Sequence, residues 1–231
     1  MQDSPFTYFI RGNHEDFNYL ASFSKPSAVD PWHKIFFIPD GHTVNIIDNY
    51  SLNLQPLVIG GFGGIPPSQE QRMRGKIARK KYRKSQQNTC CDLRFFNESF
   101  IKSAFDGLEK VDILLTHAGP KFPNLPEGSA LISELAERVK PRVHLFGHHH
   151  KVVGPCKGPG DSLLVGLEHL NFTNSGELTQ GSWGILSINE KYTEFIFPSS
   201  ENFECLRTLR HGSYRSLLTP GIAIPTLPHI I

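Results

Sequence analysis

Apolar residues recur along this chain in short runs that stop at glycine or proline, and several of the stops are followed directly by histidine. Short runs bounded by turn residues predict strands, whereas apolar positions three and four apart predict helices. Residues 7–10 predict a first strand that delivers Arg11-Gly12-Asn13-His14-Glu15, and Phe17, Leu20 and Ala21 give 15–23 a helical spacing that Pro26 and Pro31 end. Residues 35–38 and 42–47 predict two strands divided by the turn sequence Pro39-Asp40-Gly41. Residues 57–59 predict another, running into Gly60-Gly61-Phe62-Gly63-Gly64. That glycine run fits neither the P-loop nor the dinucleotide fingerprint, and close backbone packing is its expected role. Phe100, Ile101, Ala104, Phe105 and Leu108 mark one face of a helix over 100–108.

The second half repeats the plan. Residues 111–116 predict a buried strand with His117 at its end. Ser129 caps a predicted helix whose buried face is Leu131, Ile132, Leu135, Ala136 and Val139, and Pro141 stops it. The helix feeds Val143-His144-Leu145-Phe146, completing a strand-helix-strand unit in which His144 reads as a packed strand residue. After Gly147 come His148, His149 and His150, and in extended backbone the first and third share a face while His149 points away. Residues 152–156 and 162–167 predict strands, and 183–188 with 192–197 a hairpin around Asn189-Glu190 that closes a second sheet. His169, beside Glu168, reads as a surface residue or a late ligand. The tail over about 219–231, with three prolines, shows no regular pattern.

Length and composition fit one α/β domain over 1–231, since 231 residues at 39% hydrophobic content can supply a core. A net charge of +2 implies no strong pull towards nucleic acid or a membrane, although eight basic residues fall between Arg72 and Lys84. With only Tyr82 there for base stacking, that stretch reads as the solvated face of an insertion over about 68–92, and nucleic acid stays open as a partner. The cysteines are a vicinal pair, Cys90 and Cys91, and the isolated Cys156 and Cys205, so neither a disulfide framework nor a zinc ribbon is suggested and a cytoplasmic location is expected. No run approaches the ~18 apolar residues of a membrane span.

Three strand ends carrying Asn13-His14, His117 and His148-to-His150 are expected to converge on one rim, the usual place for a site in an open α/β sheet. Neutral imidazoles aimed at one cleft can bind a divalent cation, or two cations ~3.5–4 Å apart. A solvated histidine loop is the alternative for the last cluster alone.

In order, Gly12-Asn13-His14-Glu15, the strand-end His117 and Gly147-His148-His149-His150 resemble the last three of the five motifs of the calcineurin-like metallophosphoesterases. The resemblance implies a β-sandwich of two mixed sheets flanked by helices, in four α/β/β/α layers, and a hydrolase that cleaves phosphate esters with a metal-activated water. It implies Asn13, His117 and His148 as ligands of one metal, His150 as a ligand of the other, and His14 as the catalytic proton donor near the leaving group. The metals would be divalent, with Mn, Fe, Zn, Ni and Co all suited to imidazole and carboxamide donors. Arg11 is expected to bind substrate phosphate, and Glu15 or Asp16 to fix the His14 imidazole. The family's first two motifs, Asp-x-His and Gly-Asp-x-x-Asp, do not occur before Gly12, so the resemblance implies an N-terminally truncated form in which at most one metal keeps a good ligand set. Two alternatives stand beside the hydrolase: a remnant that binds metal or phosphate without turnover, and a 2′,5′-phosphodiesterase of the RNA lariat debranching type. The last rests on Asn18-Tyr19-Leu20 after the Gly-Asn-His-Glu and on the Gly-Gly-containing strand end.

Overall fold

Runs too short for helices, rich in Ile, Val, Leu and Phe, build most of the molecule as strands. The computed structural model describes residues 5–46, 56–67, 93–108, 110–188 and 192–198. Within them the first half holds β1 (Thr7–Phe9), α1 (Phe17–Leu20), β2 (Ser27–Ala28), β3 (Ile35–Phe37), β4 (His42–Ile46) and β5 (Leu57–Phe62). The second half holds α2 (Glu98–Ile101), β6 (Ile113–Thr116), α3 (Ala130–Val139), β7 (Val143–Phe146), β8 (Val153–Lys157), β9 (Leu163–Gly166), β10 (Ile185–Ile188) and β11 (Thr193–Ile196). The basic residues of 72–84, the insertion expected over 68–92 with Cys90 and Cys91, the Asn189-Glu190 turn, Cys205 and the tail over 219–231 lie outside the described residues.

Six strands form the central sheet in the order β4-β5-β6-β7-β9-β8, with β5, β6, β7 and β9 parallel and an antiparallel strand at each edge. Alternation along the strands gives the sheet two apolar faces. Phe62 and Leu114 face α2 and α3, where they pack with Ile101, Ile132, Leu135 and Ala136. Ile59, Ile113 and Val143 face the other way, with Tyr8 of β1 and Leu186 and Ile188 of β10 laid over them. Each of those three central side chains is at most 1% exposed, a burial that contributes roughly 1.5–3 kcal/mol apiece. The covering layer is a three-stranded sheet, β1-β3-β2, and a separate antiparallel pair, β10-β11. Phe37 of β3 turns outward to Phe9 and Phe23, so the α1 segment, with Phe17 and Leu20 buried, caps the far side. The layer order α/β/β/α matches the expected fold class.

Several elements depart from expectation. The helix expected over 100–108 is a single turn, capped by Asn97 Oδ1 accepting from Ser99 and Phe100 N–H. Past it the chain winds through turns, with Phe105 at φ 66°. Arg138 of α3 supplies the reason: its guanidinium donates to the Ile101 and Ala104 carbonyls at 2.8 and 3.0 Å, filling acceptors that a continuing helix would have used itself. The helix expected over 15–23 likewise shrinks to Phe17–Leu20, capped by Asp16. β6 begins at Ile113 because Asp112 precedes it, its carboxylate 1% exposed yet accepting from Val58 N–H and paired with Lys110 Nζ at 2.7 Å. β5 runs on through Gly60 and Gly61 to Phe62, which carries the sheet up to the same level as the ends of β6 and β7.

Among the described residues no helix is long and apolar enough to cross a membrane.

Candidate functional site

Register places the site. Phe62, Thr116, Phe146 and Gly166 stand side by side at the carboxyl ends of β5, β6, β7 and β9, so the residues after them emerge on one rim. The segment after β1 joins that rim, because Gly64 N–H donates to Arg11 O at 3.2 Å. Gly12 leaves room there: a Cβ would stand 2.7 Å from Glu15 Oε1 and 2.8 Å from the His117 ring, so a larger residue would push the ring.

Asn13 joins two histidines. His117 Nε2–H donates to Asn13 Oδ1 at 2.9 Å across 104 positions of sequence, and the Asn13 amide lies 3.3 Å from His14 Nε2. His148 packs against His117 with ring centroids 4.8 Å apart, and His149 against His148 at 5.3 Å. Thus Asn13, His14, His117 and His148 are brought together. The His150 ring lies against that of His169, with centroids 4.7 Å apart.

The shared face expected of His148 and His150 is corrected by the backbone. Extended conformation stops at Phe146, and His148 and His150 adopt φ of 65° and 51°, left-handed values that cost a non-glycine residue roughly 1 kcal/mol or more. Gly147 carries none of this strain, and a Cβ there would meet nothing within 4 Å. His149, expected to point away, ties the turn after β6 to the turn after β7 through its Nε2, which accepts from Gly119 N–H at 3.0 Å. That bond puts the ring proton of neutral His149 on Nδ1.

Burial holds these imidazoles neutral. Desolvation, then the neighbouring His148, pushes His117 down to about 4 against a partial counter-pull from Glu15. His149 is pushed to about 4, again by desolvation first, and His148 is lowered by desolvation, then by His150 and His14. Neutral imidazoles are the form that offers a lone pair to a cation.

Arg11 meets different partners from those expected. Its guanidinium forks onto Asp40, with Nε at 3.1 Å from both carboxylate oxygens and Nη2 at 2.6 Å, and Nη1 donates to Leu93 O. Asp40 also accepts from Gly63 N–H at 2.9 Å, so the pair rivets the ends of β1 and β5 together. Arg11→Gln is therefore expected to lower unfolding free energy by about 2 kcal/mol in urea titration while leaving the KM for a phosphate ester unchanged. Of the carboxylates expected to steady His14, Asp16 caps α1, whereas Glu15 Oε2 accepts the His14 backbone N–H at 3.0 Å.

The fit to a cation can be tested on the donors themselves. Two ligands each ~2.1 Å from a cation and at right angles around it lie ~3.0 Å apart. Asn13 Oδ1 and His117 Nε2 stand 2.9 Å apart, a spacing two such ligands could share once the His117 proton is given up. Among the described residues, however, no group of three or more His, Cys, Asp or Glu side chains is placed to hold a metal ion. The donors brought together here are the Asn13 carboxamide and the His117 imidazole, with the His148 ring packed beside them.

The family model for calcineurin-like phosphoesterases matches residues 2–152, a span that includes Asn13, His117 and His150 and ends before His169. No curated protein matches the chain.

Proposed function

The chain belongs to the calcineurin-like phosphoesterase family, and on that premise we propose that it hydrolyses phosphate esters at the rim formed by Asn13, His14, His117 and His148. Members of the family are generally phosphoesterases that bind divalent metals. The observation that carries the reading is the 2.9 Å approach of Asn13 Oδ1 to His117 Nε2, two donors the fold brings together from distant parts of the chain. Bound there, a divalent ion would supply charge neutralisation for the phosphoryl oxygens and an acidified water. Asn13 and His117 would hold it, with His148 beside them. Asn13 also fixes His14: with its amide oxygen facing His117, its Nδ2–H points at His14 Nε2, so this exposed ring stands next to the donors. An imidazole so placed can return a proton to the leaving alkoxide.

Hydrolysis of an aryl phosphodiester and an aryl phosphomonoester with added Mn²⁺, and after chelation, tests this. Turnover that disappears with chelator and returns with metal is expected; turnover indifferent to chelator refutes the assignment. Finer features, including a second metal, preference for diesters, a 2′,5′-linked RNA substrate and a cytoplasmic location, belong to the same proposal. A faster rate on 2′,5′-linked RNA than on the aryl diester would single out the debranching reading. One observation favours binding without turnover as a second reading, namely that among the described residues no group of three or more His, Cys, Asp or Glu side chains is placed to hold a metal ion. Metal retained with no hydrolysis of any ester would select it.

A further inference from the structure

The last histidine of the rim has a partner that no motif accounts for. His169 follows β9, and its position is fixed from both sides of the preceding residues. Leu167 N–H donates to Phe146 O at 2.9 Å, which keeps the chain alongside the end of β7, and Glu168 N–H donates to Gly181 O at 2.9 Å. Glu168 Oε1 then accepts the His169 N–H at 2.8 Å. On the other side, His149 is anchored to Gly119, and the left-handed backbone of His150 swings its ring towards His169. The two rings meet at 4.7 Å between centroids with planes 32° apart.

Packing alone is a poor reason for this pair. Both residues are exposed, so their contact removes little apolar surface from water, while the backbone strain at His150 opposes it. Among the described residues neither ring makes a hydrogen bond, which leaves their nitrogens to solvent or to a ligand. A centroid spacing of that size lets one nitrogen from each ring come within the ~3 Å that separates neighbouring ligands of one cation.

We propose that His150 and His169 form a two-imidazole site for a divalent transition-metal ion, distinct from the Asn13–His117 pair. The idea rests on the phosphoesterase reading in taking His150 as metal-directed; His169 is assigned from its placement alone. With two imidazoles as its ligands, the site selects Ni²⁺, Cu²⁺ or Zn²⁺ over Mg²⁺ or Ca²⁺. The ion's other positions stay open to water or to oxygens of a phosphate ester.

Calorimetric titration of the full 231-residue chain with Ni²⁺ alone tests the proposal, backed by NMR of histidine ring nitrogens. The native chain is expected to take up two ions. His169→Ala is expected to remove one of them or weaken it at least ~10-fold, a change of ~1.4 kcal/mol. His33→Ala, at an exposed histidine away from the rim, should change neither. Ni²⁺ should broaden the His150 and His169 signals together. Uptake by His169→Ala equal to that of the native chain would overturn the assignment, as would broadening of His150 without His169. The two readings fail separately: if His117→Ala still binds two ions while His169→Ala binds one, the Asn13–His117 site is refuted and the His150–His169 site stands.

Discussion

His117→Ala is expected to lower hydrolysis of an aryl phosphodiester by roughly 10³-fold, about 4 kcal/mol in the barrier, and to lower bound metal in parallel. The ring gives one nitrogen to Asn13 and lies against His148, so its loss removes a donor and frees both neighbours at once. Stability should hardly change, because the sheet depends on the main chain there. His117 N–H donates to Phe62 O at 3.3 Å and its carbonyl accepts from Gly147 N–H at 3.2 Å, and alanine keeps both bonds. His14→Ala makes the contrast. An exposed proton donor outside the donor pair should cost roughly 10²–10⁴ in rate with metal content intact. Elemental analysis of both variants beside their rates decides the roles. Metal retained by His117→Ala, or lost by His14→Ala, would reverse them.

The sequence shows this much of the site because each strand is a short apolar run and the chemistry sits where the run stops. Parallel β6 and β7 end level, which puts His117 and His148 on one rim, and Asn13 joins it from the end of β1 through the Gly64–Arg11 bond; spacing and the motif resemblance together point to that convergence. Partners fixed by tertiary structure were out of reach. Nothing near Arg11 announces that Asp40, 29 positions on, will take its guanidinium. Nothing near residue 100 announces that Arg138 will take the carbonyls of Ile101 and Ala104 and end the helix early. The expected alternation of His148 and His150 assumed extended backbone, and the chain leaves that conformation one residue before His148. The sequence has His149 pointing away and His169 as either a surface residue or a late ligand, because a hydrogen bond to Gly119 N–H and a ring contact across a loop leave no periodic trace. His169 had one weak signal, its place just past a strand that ends on the same rim.

His144 was legible as a core residue, and its burial carries the second large expected effect. It is 0% exposed in β7, and Thr116 fixes its tautomer. The single hydroxyl proton of Thr116 goes to Ala118 O at 2.8 Å, so His144 Nε2 must be the donor in the 2.8 Å contact with Thr116 Oγ1. Nδ1 is left without a partner among the described residues, and desolvation pushes the pKa from 6.5 down to about 3. Unfolded chain therefore takes up this proton below about 6.5, and folded chain only near 3. The stability that neutral His144 preserves is complete above 6.5 and is lost progressively as pH falls towards 3. Between pH 7.5 and pH 4 the loss from this residue alone is about 3 kcal/mol at ~1.4 kcal/mol per unit. His144→Gln keeps a donor for Thr116 and cannot titrate. Urea unfolding at the two pH values should show a drop in the native chain larger by about 3 kcal/mol than in the variant, and equal drops would mean that His144 is protonated in the fold or reached by water. Because the Thr116–Ala118 turn held by His144 also carries His117, acid should disturb the rim and the core in the same pH range.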